Sequence, residues 1–151
     1  MLSHTTEEIP MSAEENKAIV RRTFEELDKH NLAVLDEVMV PDYVHHDPAL
    51  PPAMQQGRDN YRQGTAMFYT AFPDLQGTIE DMIAEGNKVA SRLTWRGTHQ
   101  AELLGIPPTG KQVQFTMMAI HRIVDGKITE GWVNFDALGM MQQLGAIPTP
   151  G

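Results

Sequence analysis

Apolar positions along the chain change their period near Pro73. Before it they recur every three to four residues, the spacing that puts side chains on one face of a helix. Ile19, Val20, Thr23, Phe24 and Leu27 define such a face; Ser12 and Glu15 have capping-box spacing at its start, and His30-Asn31 interrupts it. A short second helix is predicted from Ala33 to Met39, stopped by Pro41, and a brief strand follows in DYVHHDP, closed by PALPP. A third helix is predicted over Gly57–Phe72, with Tyr61, Thr65, Phe68 and Phe72 near one face. After Pro73 the period becomes two. Residues 77–86, 88–99, 111–123 and 127–136 alternate as four strands, joined at Glu85-Gly86-Asn87, by a long Gly/Pro loop, and at Asp125-Gly126. Ala137–Leu144 is a closing helix with Gly145 beyond its end. Helices first and an antiparallel sheet afterwards predict an α+β fold, in which the helices cover one face of a curved sheet. Residues 1–11 and 148–151 are read as tails around a single domain over 12–147.

The last hairpin collects most of the polar chemistry. If Asp125-Gly126 is a two-residue turn, His121 faces Glu130, Ala119 faces Trp132, Met117 faces Asn134 and Phe115 faces Asp136, all on one side of the sheet. That face mixes acids, amide, imidazole and indole with apolar residues, as a ligand pocket does. The opposite face, with Thr116, Met118, Ile120, Val133 and Phe135, is more uniformly apolar and suits a covering partner. A bulge in either strand changes which acid points inward. Asp136 also precedes the closing helix, where it fits equally as an N-cap.

Composition narrows the function classes. The 151 residues suffice for one domain with a core and a pocket. Twenty acidic against twelve basic residues, with no Lys/Arg run, argue against nucleic acid and anionic membranes as partners. The absence of cysteine removes disulfides, thiol nucleophiles and thiolate metal sites. The N-terminus is polar and acidic and no apolar run approaches a membrane span, so the chain reads as soluble and cytoplasmic. His45, His46 and Asp47 have metal-ligand chemistry, but adjacent strand residues point to opposite faces, which disfavours one ion bound by both histidines. His99 opens the long loop and is read as exposed. Trp95, Trp132 and Met67, Met117, Met118, Met140 and Met141 read first as packing residues.

The stretch GTHQAELLGIPPTGKQVQF, the DGKI turn, GWVNFD, LGMMQQLG, AFPDL and HHDP together resemble the SnoaL-like polyketide and ester cyclase family across about residues 14–147. The resemblance implies a nuclear-transport-factor-2-like (NTF2-like) cone, an α+β barrel of N-terminal helices packed on a curved, mainly antiparallel sheet, usually dimeric. It implies intramolecular aldol ring closure without metal or cofactor, an acidic residue serving as general acid/base beside a histidine. On the matching segments these would be Asp136 and His121, with His46 of HHDP a third catalytic candidate. Glu130, Trp132, Asn134, Met117, Phe115, Arg92, Tyr61 and Phe68 are the expected substrate-binding residues. The chain departs from the family pattern at Gly131, where Glu-His-Trp is common, and at Ala101, where Gly is frequent.

That chemistry suits those residue types. Aldol closure requires a proton removed next to a carbonyl, an oxyanion stabilised and an alkoxide protonated. A carboxylate in an apolar pocket has a raised proton affinity, and neutral His, Asn or Trp groups can donate to the oxyanion. Two rivals of this fold lack parts. A limonene-type epoxide hydrolase needs an Asp where Thr94 stands, and a ketosteroid isomerase needs a Tyr on the first helix, where Phe24 sits. A His–carboxylate dehydratase, isomerase or hydrolase, and a non-catalytic binding module, stay open. The long loop, with Leu103, Leu104 and Ile106, is expected to cover an end of the cone or pack across a dimer partner.

Overall fold

The computed structural model describes residues 12–149, so the tail expected over residues 1–11 and the final two residues lie outside it. α1 spans Ala13–Asp28, α2 Val34–Val38, β1 Met39–His46, α3 Arg58–Ala71, β2 Gln76–Glu85, β3 Lys88–Thr98, β4 Gln112–Val124, β5 Lys127–Phe135 and α4 Ala137–Leu144. A 3-10 turn at Pro52–Gln55 precedes α3. The five strands form one mixed, open sheet in the order β1-β5-β4-β3-β2, with β1 parallel to β5 and the other pairs antiparallel.

Each helix follows from its local signals. Ser12 Oγ accepts from the Glu15 amide while the Glu15 carboxylate accepts from the Ser12 amide, the capping box expected at the start of α1. Val20, Phe24 and Leu27 turn toward the sheet and are buried. Each such side chain removed from water stabilises the fold by about 1.5–3 kcal/mol. At the far end of α1, Asp28 accepts from the Tyr69 hydroxyl of α3 at 3.1 Å and the Gly77 amide of β2 at 3.1 Å. Three elements are thereby tied to one carboxyl, whose pKa is raised by its burial.

Pro41 did not end the second helix as expected; α2 stops at Val38, and Pro41 lies inside β1. β1 is an edge strand, where a proline's missing N–H breaks no ladder. The long loop folds on itself. His99 and Lys111 are bridged by a backbone hydrogen bond of 2.9 Å, and the Gln100 amide donates to the Ala71 carbonyl at the end of α3. His99 is wholly buried rather than exposed, with Nδ1 accepting from the Thr109 amide at 3.2 Å and its ring 5.4 Å from Phe72. Leu103 is buried in the core and Leu104, at φ 49°, faces outward.

Candidate active site

One irregularity decides what faces the helices. The hairpin starts in the expected register, Val124 opposite Lys127 and Ile123 opposite Ile128, but Arg122 then pairs with Glu130. Thr129 is therefore an extra residue on β5, a bulge that reverses the facing of every side chain beyond it. His121 lies opposite Gly131, Ala119 opposite Val133 and Met117 opposite Phe135. Glu130, Trp132 and Asn134, expected on the pocket face, share the outer face with Arg122, Ile120 and Met118 instead.

A cavity lies between α1, α3 and the sheet. Phe24, Leu27, Phe68, Leu75, Trp95, Phe115, Met117, Val133 and Phe135 supply apolar wall; Leu50 and Met54, before α3, complete it. Met117, Phe115, Tyr61, Phe68 and His121, all site candidates from the sequence, are on this wall. Met54 of the 3-10 turn packs over Gly64 of α3 where it meets the cavity. A Cβ there would approach Met54 Cε to 2.7 Å.

The polar groups of the cavity come from β1 and the residue following it, from Asn60, Tyr61, Thr65 and Tyr69 of α3, and from Trp95 and His121 of the sheet. Alternation along this segment puts Tyr43, His45 and Asp47 on one side, all buried, and His45 and Asp47 on the cavity wall. The Tyr43 hydroxyl is 2.9 Å from His45 Nδ1, and His45 Nε2 is 3.8 Å from Asp47 Oδ2. Asp47 Oδ1 accepts from the Ala49 amide at 3.0 Å, which leaves its other oxygen toward His45. Among the described residues, Asp47 is the one carboxylate lining the cavity. His121 adds a second imidazole, whose Nδ1 is buried and has no partner among the described residues. Burial and the neighbouring His45 lower its pKa to about 4, so it is neutral near pH 7. Trp95 Nε1 is likewise buried without a partner among the described residues. A ligand filling this cavity meets one carboxyl group, imidazole, hydroxyl, amide and indole groups, and apolar walls.

The other sequence candidates are elsewhere. Asp136 is exposed and accepts from the Gly139 amide at 2.9 Å, capping α4, so the capping alternative describes its position. His46 is on the outer face because it is one residue out of phase with His45. Its ring stacks on Trp132 at 5.4 Å and its Nε2 is 2.7 Å from Glu130 Oε2. Arg122 holds the other Glu130 oxygen at 2.7 Å, and Arg122 and Lys88 both lie over the Trp132 ring. Asn134 is exposed on that face, and Arg92 is exposed there too, donating to Asp81 at 2.7 Å. The bulge is the physical reason for Glu130, Trp132 and Asn134. Strand parity is the reason for His46 and Arg92.

Sequence reasoning missed Tyr43, His45 and Asp47. The signal was present: the alternation that separates His45 from His46 also aligns residues 43, 45 and 47. Among the described residues no group of three or more His, Cys, Asp or Glu side chains is arranged to hold a metal ion, and no helix is long and apolar enough to cross a membrane.

Comparison with known proteins agrees with this architecture. The family model for SnoaL-like polyketide cyclases matches residues 18–144. Aklanonic acid methyl ester cyclase DauD from Streptomyces sp. (strain C5) is 31% identical over 120 residues, 78% of this chain and 71% of the relative. Nogalonic acid methyl ester cyclase from Streptomyces nogalater is 32% identical over 115 residues, 74% of this chain and 83% of the relative. Among solved structures, AclR from Streptomyces galilaeus, a proposed hydroxylase, superimposes with a TM-score of 0.82 at 28% identity, covering 93% of this chain and 87% of that one. IdmH from Streptomyces antibioticus, a proposed polyketide cyclase, gives 0.77 at 32% identity over 86% and 98% of the two chains. With its helices packed over an open α+β sheet, a cavity between them and a family match over most of its length, the chain belongs to the SnoaL-like polyketide cyclase family.

Proposed function

We propose that this protein closes a ring by an intramolecular aldol-type reaction on a hydrophobic, polyketide-like carbonyl compound, using His45 and Asp47 as its acid/base pair. The observation that carries this reading is the buried pair itself, 3.8 Å apart in a wall that is otherwise mostly apolar. That separation is too long for a direct hydrogen bond and leaves both groups available to a substrate oxygen and the carbon beside it. Cyclase relatives at 31–32% identity favour this chemistry over the other acid/base reactions of the fold. The aromatic wall, Phe24, Phe68, Trp95, Phe115 and Phe135, favours a flat conjugated substrate whose reacting ends are folded together.

The test is turnover of a polyketide methyl ester bearing two ketones by wild type, Asp47→Asn, His45→Gln and Asp136→Asn. Cyclisation that falls at least about a hundredfold in the first two and persists in the third is expected, general acid–base groups contributing about 10²–10⁴ in rate. Tight binding of the ester with no cyclisation by wild type would leave a binding module. Cyclisation insensitive to Asp47→Asn would move the base elsewhere.

The outer sheet face suits a second copy of the chain. Met118, Ile120 and Ile83 are exposed there, beside charges of both signs from Arg92, Asp81, Arg122 and Glu130. Such a face can meet itself across a two-fold axis, apolar centre on apolar centre with opposite charges paired at the rim. A homodimer is therefore proposed as the assembly.

A further inference from the structure

The acid/base pair leaves open which partner takes the proton and which donates to oxygen, and two residues outside that pair bear on it. Tyr43 is fully buried, and its hydroxyl has one side-chain partner among the described residues, His45 Nδ1 at 2.9 Å. Burial raises its pKa well above 10, so the phenol keeps its proton. That O–H has Nδ1 as its acceptor, and a neutral imidazole accepting at Nδ1 carries its hydrogen on Nε2. Gly131, paired with His45 across β1 and β5, makes this arrangement possible. A Cβ at 131 would collide with the Tyr43 hydroxyl oxygen and stand 3.1 Å from His121 Cδ2.

We propose that Gly131 and Tyr43 are positioning residues that hold His45 as its Nε2–H tautomer, making Asp47 the base and His45 the donor to the developing oxyanion. The inference rests on the reading of His45 and Asp47 as the acid/base pair. In the step it implies, a carbon-bound proton beside the substrate carbonyl moves to Asp47 Oδ2. The C–H electron pair becomes the enolate double bond, and the charge on oxygen is met by His45 Nε2–H. The enolate carbon then bonds to the second carbonyl carbon, and the proton on Asp47 returns to the new alkoxide. No proton is gained or lost, and His45 stays neutral throughout.

The test needs no substrate. Ring-nitrogen NMR of the full chain, with His45 identified by His45→Gln, reports which nitrogen is protonated in wild type, Tyr43→Phe and Gly131→Ala. Wild type is expected to show Nε2 protonated and Nδ1 bare, and Tyr43→Phe to lose that fixed signature while remaining folded. Gly131→Ala is expected to do the same and to destabilise the protein, with a smaller loss when made in the Tyr43→Phe background, where the colliding hydroxyl is gone. A wild-type His45 protonated on Nδ1, or a signature unchanged by Tyr43→Phe, overturns the proposal; so does full additivity of the two substitutions. Should Gly131→Ala fail to fold, Tyr43→Phe decides alone. Cyclisation that survives Asp47→Asn would instead defeat the underlying acid/base reading, whatever tautomer the NMR finds.

Discussion

His121 should make this protein acid-sensitive in a pH range that its variants can isolate. Its imidazole is 5% exposed, and its pKa falls from 6.5 to about 4, first through desolvation and then through His45. Between those two values the unfolded chain binds a proton at this site and the folded one does not. Stability therefore falls as pH drops through that interval and is unaffected by this site above it. At about 1.4 kcal/mol per pH unit, the interval from 6.5 to about 4 corresponds to about 3 kcal/mol, of which about 2 is lost by pH 5. The assay is urea denaturation of wild type and His121→Leu at pH 7 and pH 5. Surface carboxylates titrate alike in both proteins, so the difference between their pH dependences reports residue 121 together with its coupling to His45. Wild type should lose about 2 kcal/mol more than the variant between the two pH values. Losses agreeing within about 0.5 kcal/mol would refute the burial argument, because His121 would then be charging in place without penalty.

Three further outcomes follow from side-chain placement. Asp136→Ala removes the cap of α4 and should cost about 1 kcal/mol in urea denaturation while leaving cyclisation unchanged, since Asp136 is exposed and outside the cavity. Leu103→Ala should cost about 2–5 kcal/mol and Leu104→Ala less than about 0.5, because Leu103 is buried and its neighbour is 41% exposed; equal losses would contradict the packing of the loop. Met118→Asp puts a charge on the exposed apolar face, where Met118 is 62% exposed; light scattering should show a monomer with an unchanged melting profile at high dilution, and an unaltered mass would remove that face as the dimer interface.

The fold was largely legible because it rests on local rules. The helical period of Val20, Phe24 and Leu27, the Ser12–Glu15 capping box and the Asp125-Gly126 turn each need only a few neighbouring residues to take effect. The parallel pairing of β1 with β5 was not legible, because it joins residues more than eighty positions apart and leaves no local trace. Pro41 shows the same limit: it reads as a breaker until the strand containing it is known to lie at an edge, where its missing donor costs nothing.

The candidate site divides along that line. By itself, the sequence determined the chemistry on offer: no thiol, and a small set of histidines and acids on segments that alternate as strands. It also determined, through strand alternation, that His45 and Asp47 share a face and that His46 does not. Only the tertiary structure decided which face encloses the cavity and which acid is inside it. One extra residue at Thr129 turned Glu130, Trp132 and Asn134 outward, and a helix claimed Asp136 as its cap. The physical reason is that a side chain's direction alternates with every residue, so a single bulge reverses a whole strand. Hydrophobic alternation along the strand does not mark where such a bulge falls.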